Sequence, residues 1–195
     1  MSTSKRPDRP RIFGLFRESI HLTSFVGEVG LDFSREGRDT RDIQLESFRL
    51  VAKSVAAGNK VVSLHSRGAE SAVLDILTEY KVPIAIFHWY SGPLSVLDEL
   101  ASKGHLFSVN PAMVSSEKGK QIIARIPPDQ LLTETDGPYA KIGRVPASPW
   151  DVVLVEKYLS QVWSVKPEDV RKRVWSNFRQ MLSRLGLASP RCGEE

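Results

Sequence analysis

The chain has 195 residues, of which 41% are hydrophobic and 26% charged, and its formal net charge of +4 permits an anionic partner such as nucleic acid. This composition is ordinary for one folded, soluble domain, and every apolar run falls well short of the ~20 residues that a helix needs to cross a bilayer. The single cysteine, Cys192, excludes an intrachain disulfide and a thiolate metal cluster, which indicates a reducing cytoplasm.

The chain divides into three parts of different composition. Residues 1–24 form a basic, proline-containing segment that is hard to assign, although IFGLF at 12–16 predicts a degenerate strand. Residues 25–186 alternate extended apolar runs with stretches of helical periodicity, and residues 187–195 form a short tail. The alternation predicts an α/β domain with a parallel sheet or barrel.

Five short apolar runs predict the strands of that sheet. They lie within 25–32, 61–67, 84–92, 106–111 and 131–139. Apolar residues at helical spacing predict helices at about 39–57, 68–80, 93–103, 115–125, 151–163 and 167–185. The stretch 140–150 is predicted to be a loop because it contains Gly143, Pro146 and Pro149.

Four of the runs end in a typical metal ligand, and the other ends in Asn110. The ligands are Glu28, His65, His88 and Asp136. Side chains at the carboxyl ends of parallel barrel strands meet at one mouth, so this pattern predicts a metal-dependent hydrolase. Each residue alone has an ordinary alternative: an ion pair for Glu28, a hydrogen-bonded core position for either histidine, and an Asx turn for Asp136.

Neighbouring polar residues have two readings each. Arg67 is a candidate for binding phosphate or for a surface ion pair, and Ser91 for binding an oxyanion or for an ordinary turn. Asp32 either caps a turn or orients a neighbour, while Glu134 would lie on the same strand face as Asp136 and support it. His105 lacks a strand-end context and is interpreted as a loop or helix-end residue.

Taken together and in order, the motifs GEVGLD, SLHSR, FHWYSG and TETDGPY resemble the signatures of the TatD family of metal-dependent deoxyribonucleases, within the amidohydrolase superfamily. The resemblance covers about residues 25–186 and includes the closing PEDV and SNFRQML at 167–182. FVGEVGLDFS, FSVNPAM and LTETDGPY are also similar to the TatD-like nuclease subunit of bacterial Qat anti-phage systems. That second likeness implies protein partners of a defence complex.

The family resemblance implies a distorted TIM-like β/α barrel with two divalent ions, Mg, Mn or Zn. Glu28 would bridge the ions, His65 and His88 would hold one of them, and Asp136 would help to hold the other. The implied reaction is phosphodiester hydrolysis of DNA, with Glu28 and Asp136 as catalytic residues and Asp136 taking or steering the proton of the attacking water.

One departure from the family pattern is expected to matter. Family members begin with a strand that carries a His-x-His pair, and no such pair occurs in this sequence. About five of the eight barrel strands are readable, so the chain resembles a family member without its opening part. Two other functions therefore remain open: a catalytically inactive remnant or scaffold that binds a partner protein, and a small-molecule ester or amide hydrolase.

Overall fold

A computed structural model describes residues 9–187, with side chains from residue 12 onward. Within this range five strands form one parallel sheet in the order β1-β2-β3-β4-β5. They are β1 (Phe25–Gly30), β2 (Val61–His65), β3 (Ile86–His88), β4 (Leu106–Val109) and β5 (Leu131–Thr133). Strands that are consecutive in sequence are also neighbours in the sheet, as in a β/α barrel. The predicted α/β fold with five parallel strands is confirmed.

Helices connect the strands. They are α1 (Arg9–Ser19), α2 (Arg41–Ala56), α3 (Glu70–Glu79), α4 (Leu94–Ser102), α5 (Pro111–Val114), α6 (Glu117–Arg125), α7 (Val152–Trp163) and α8 (Pro167–Arg184). The six predicted helices begin and end close to the positions that their apolar spacing indicated. The short helix α5 was not predicted; it begins because the Asn110 side chain accepts a hydrogen bond from the Met113 N–H at 3.0 Å, with Pro111 at the first helical position.

The strand predicted at residues 12–16 is wrong, because these residues lie in helix α1. Ile12, Leu15 and Phe16 recur at helical rather than strand spacing. Phe16 packs against the core, whereas Ile12 and Leu15 are 47% and 53% exposed. Part of the basic segment is therefore an ordered helix, while residues 1–8 and most of the predicted tail lie outside the described residues.

The loop predicted at 140–150 contains a small hairpin. Its strands are β6 (Lys141–Ile142) and β7 (Val145–Pro146), which pair in antiparallel fashion. Gly143 in the connecting turn has a φ of +63°, a conformation that costs glycine little. A 3₁₀ turn, Pro149–Asp151, then leads into α7.

Alternate residues of the strands pack on opposite faces of the sheet. The larger core lies under helices α2 to α7 and takes one set of strand side chains, including Val62, Leu64, Phe87, Phe107 and Leu131. The opposite set packs against α8. Val61, Leu106 and Leu132 belong to it, and with Ile84, just before β3, they pack against Met181 and Leu182 of that helix and Leu185 at its end.

Helix α8 is tied to the sheet by polar as well as apolar contacts. The Asn177 side chain, 3% exposed, donates hydrogen bonds of 2.8 Å to the carbonyls of both Pro128 and Leu131. The Phe178 ring stacks on Phe25 of β1 with centroids 6.5 Å apart. The helix thus spans the sheet between its two edge strands and covers apolar surface that a partial barrel would otherwise expose. None of the described helices combines the length and the hydropathy of a membrane span.

His105 lies in the connection between α4 and β4, as predicted, and is buried in the core. It is 2% exposed, and its Nδ1 accepts a hydrogen bond from the Ala85 N–H at 3.1 Å. Burial lowers the pKa of His105 to about 4, and the charges of Lys103 and Arg184 add to that decrease. The imidazole is therefore neutral in the folded protein at neutral pH.

This burial predicts a specific acid sensitivity. The pKa of His105 is lower in the folded chain than its ordinary value of 6.5, so the unfolded chain binds more protons between these two values and stability falls as pH falls through them. We expect His105 to remove about 2 kcal/mol from the free energy of unfolding between about pH 7 and pH 5. Urea unfolding at both pH values should show this loss in the wild type and a smaller one in His105→Asn. Exposed His21 offers the matched control, His21→Asn, and equal pH dependence in all three proteins would contradict the assignment.

Candidate metal centre

The carboxyl ends of the first three strands bring three candidate ligands to one place. Glu28 lies in β1, and His65 and His88 are the last residues of β2 and β3. Strands β1 and β2 approach closely at Gly30, where a Cβ atom would lie 1.9 Å from the His65 carbonyl oxygen. Glycine at this position therefore permits the pairing that places Glu28 beside His65.

The three side chains point at one another. Glu28 Oε1 lies 3.0 Å from His65 Nδ1 and 2.9 Å from His88 Nε2, and the two nitrogens are 3.4 Å apart. One ligand atom from each residue falls within 4.8 Å of the other two. The His88 side chain is 9% exposed and that of Glu28 is 45% exposed, so the group is buried on one side and accessible on the other.

Each imidazole has a second carboxylate at its other nitrogen. His65 Nε2 lies 3.2 Å from Asp32 Oδ2, and His88 Nδ1 lies 3.6 Å from Glu134 Oε2. Asp32 is itself fixed, because its Oδ1 accepts a 2.8 Å hydrogen bond from the Ser34 N–H. Carboxylates behind metal-binding histidines set the ring orientation and the tautomer, and both histidines have this support.

The pKa values of Asp32 and His88 are both shifted by their contacts at this centre. Burial raises the pKa of Asp32, but hydrogen bonds from Ser34 and the contact with His65 outweigh it, so the net pKa is lowered. Burial lowers the pKa of His88, yet the hydrogen bond and charge of Glu134, with the charges of Glu28 and Asp136, raise it overall. The pocket is therefore rich in negative charge and favours a cation.

Glu134 is the most heavily hydrogen-bonded residue of the group. Its Oε1 accepts from the Trp89 N–H at 3.0 Å and from the Asn110 side chain at 3.3 Å, and its Oε2 accepts from the Ser108 hydroxyl at 2.5 Å. It thus joins the ends of β3, β4 and β5 and holds His88 in place. Asn110, which ends the remaining strand run, supports Glu134 and caps α5 rather than joining the three-ligand group.

Asp136 lines the same cavity as Glu28, His65 and His88, but it is not one of the three clustered ligands. Its φ is +52°, and its carbonyl accepts a 2.8 Å hydrogen bond from the Ala140 N–H, which closes the turn after β5. Burial raises the pKa of Asp136; Glu134 and Glu28 add to the rise, and the nearby histidines oppose it. A raised pKa makes a carboxylate a stronger proton acceptor.

The two predicted phosphate-binding residues also line this cavity, which has a volume of about 690 Å³. Arg67 forms an ion pair with Glu36, at 3.1 Å, in which both side chains are more than half exposed. Such an exposed pair contributes little to stability and leaves the guanidinium available to an anion. Ser91 lies on the cavity wall beyond β3.

Two aromatic residues of the cavity were not identified from the sequence. Trp89 follows His88, and Tyr139 lies in the turn that begins at Asp136; both line the cavity. Each stands within three residues of a candidate ligand, His88 or Asp136, and this proximity in sequence could have identified both as cavity residues.

The donor set fits a divalent cation. One carboxylate oxygen and two imidazole nitrogens are common ligands of zinc and of manganese, and both histidines are oriented from behind.

Comparisons with known proteins agree with this geometry. Residues 14–183 match the model of the family described as TatD related DNase. The chain is 28% identical over 168 residues to an uncharacterized metal-dependent hydrolase of Methanocaldococcus jannaschii, covering 86% of this chain and 66% of that protein. It is 32% identical over 119 residues to the 3'-5' ssDNA/RNA exonuclease TatD of Pectobacterium carotovorum, covering 58% of this chain and 45% of that protein.

A solved structure shares the fold. The crystal structure of a TatD family hydrolase from Entamoeba histolytica superposes with a TM-score of 0.72 at 16% identity, covering 91% of this chain and 69% of that one. Here too the chain spans only part of the length of its relatives. The family match extends over most of the sequence, and the chain therefore belongs to the TatD-related DNase family.

Proposed function

We propose that this chain is a metal-dependent phosphodiesterase that acts on DNA. Glu28, His65 and His88 would hold a divalent ion, Mg, Mn or Zn. The family resemblance predicts a second ion with Glu28 as a bridge and Asp136 among its ligands. When bound, such ions activate water and stabilise the negative charge that develops on phosphate.

The protein's own groups have distinct tasks in this proposal. Asp136 takes the proton of the attacking water or steers it, since its raised pKa brings it nearer the working pH. Arg67 and Ser91 line the cavity and bind the non-reacting phosphate oxygens. Asp32 and Glu134 hold the two imidazoles in position.

The observation that carries the proposal is the group of three ligand atoms within 4.8 Å, backed by a carboxylate on each imidazole. An inactive scaffold needs none of these groups to point inward, so their arrangement supports the hydrolase over the scaffold. The Pectobacterium carotovorum relative is an ssDNA/RNA exonuclease, which supports a DNA substrate over a small-molecule ester or amide. Two further properties are predicted from the sequence alone: a cytoplasmic location, and protein partners in a defence complex.

Incubation with labelled single-stranded DNA and Mg²⁺ or Mn²⁺ tests the function. We expect the full chain to shorten the DNA and chelation to stop the reaction, because the ion supplies the activated water. Glu28→Ala, prepared in parallel, should reduce cleavage to background, which excludes a contaminating nuclease. Cleavage that persists unchanged in Glu28→Ala would contradict the site. Absence of cleavage by the wild type across the divalent ions would favour the scaffold.

A further inference from the structure

An exposed aromatic ring lies at the rim of the candidate metal centre. Tyr139 is 81% exposed, yet it lines the cavity that contains Glu28, His65 and His88. Among the described residues no group hydrogen-bonds its phenol, so packing and polar contacts within the chain do not explain it. An unburied ring at the mouth of a pocket is typical of a surface that a ligand covers.

The backbone that carries Tyr139 is held in place. The Ala140 N–H donates to the Asp136 carbonyl at 2.8 Å, and the Ala147 N–H donates to the Ala140 carbonyl at 2.9 Å. Ala140 is 1% exposed and anchors this turn in the protein. The ring is therefore presented from a fixed position next to Asp136, which lowers the entropic cost of binding a ligand there.

The size and lining of the cavity indicate what that ligand contains. A volume of about 690 Å³ exceeds what a phosphate group needs and falls in the range of pockets for whole organic ligands. Trp89 adds a second aromatic side chain to the same cavity. Flat rings beside a phosphate-binding centre suit a nucleotide, with its phosphate at the centre and its base against an aromatic face.

Charge next to Tyr139 indicates a polyanion. Lys141 and Arg144 lie on the hairpin that follows it, and both are exposed. Neither forms an ion pair with any residue that the structure describes. Free cations beside an exposed ring are the combination that binds single strands, in which the bases are available for stacking.

We propose that the Tyr139 ring stacks on a nucleobase adjacent to the phosphodiester at the metal centre. This inference rests on the proposed function, because it assigns a base-binding residue of that same site.

Binding measured without hydrolysis tests the stacking separately from catalysis. The full chain, with Mn²⁺ present, is titrated into a fluorescein-labelled single-stranded deoxyoligonucleotide whose phosphorothioate linkages resist cleavage, and fluorescence polarization is recorded. We expect Tyr139→Ala to bind about fivefold more weakly or worse, the low end of the effect of removing a stacked ring, and Tyr139→Phe to bind within about twofold of the wild type. Trp150→Ala is the matched control, because Trp150 is 85% exposed and does not line the cavity.

An oligonucleotide of equal length with abasic sugars separates stacking from charge. The wild type and Tyr139→Ala should bind it equally, since no base is present to stack. Two results would overturn the proposal. One is that the wild type and Tyr139→Ala bind the oligonucleotide that carries bases with equal affinity. The other is that the substitution lowers the affinity for the base-carrying and the abasic oligonucleotide by the same factor. Tyr139-dependent binding by a chain that cleaves nothing in Mg²⁺ or Mn²⁺ would support base stacking while contradicting the proposed hydrolysis.

Discussion

Replacing both His65 and His88 with alanine is expected to weaken the uptake of divalent metal by about 100-fold or more. Loss of a residue that merely orients a ligand costs about 10–100-fold in metal affinity, and this double change removes two ligands outright. The remaining Glu28 carboxylate is 45% exposed and would hold an ion no better than a surface acid. Isothermal calorimetry with Mn²⁺ or Zn²⁺ measures the difference.

A matched control for this loss is available within the chain. His21 is exposed in the 3₁₀ turn Ile20–Leu22, away from the cavity, and His21→Ala should take up metal as the wild type does. Circular dichroism would show whether the double variant keeps its helices. Identical metal uptake by the folded double variant and the wild type would rule out the assigned ligands.

Asp136→Asn is expected to lower the rate of DNA hydrolysis by about 10²–10⁴-fold, while the affinity for the first ion, held by Glu28, His65 and His88, changes far less. The substitution keeps the size of the side chain but removes its ability to accept a proton, and general acid–base catalysis contributes a factor of this order. Asp136 lies outside the group of three clustered ligands, so the first ion keeps its ligands. Single-turnover cleavage rates, compared with calorimetric affinities, separate the two effects.

The pH profile adds a second readout for Asp136. Its pKa is raised by burial and by the neighbouring carboxylates, so the wild-type rate should increase with pH as this group loses its proton. That acid limb should disappear from the residual activity of Asp136→Asn. Asp75→Asn, an exposed position in α3, should leave both rate and profile unchanged. An unaltered rate in Asp136→Asn would remove this residue from the mechanism.

Much of the fold could be predicted from the sequence because its strands are short, apolar and separated by amphipathic helices. Two of these strands end at His65 and at His88. Each is preceded by apolar residues that pack alternately on the two faces of the parallel sheet, so both faces are buried there. Since the carboxyl ends of such strands lie at one edge, the sequence also predicted that these histidines would be near each other. The structure brings both to Glu28; that the group holds a metal ion stays a prediction.

Other features depend on packing that no local pattern records. The apolar run at 12–16 has the helical spacing of Ile12, Leu15 and Phe16, but five residues are too few for that spacing to identify a helix. The hairpin at Lys141–Pro146 has two residues per strand, too few for periodicity to detect. Glu134 was predicted to support Asp136, but its hydrogen bonds go to Trp89, Ser108 and Asn110, because three strand ends converge on it.

The location of a bound ion tests the central claim most directly. Anomalous X-ray diffraction from crystals grown with Mn²⁺ or Zn²⁺ would place the metal without reference to activity. We predict a peak about 2.0–2.3 Å from a Glu28 carboxylate oxygen, from His65 Nδ1 and from His88 Nε2. A metal peak elsewhere in the molecule, with none between these three side chains at saturating metal, would contradict the assignment.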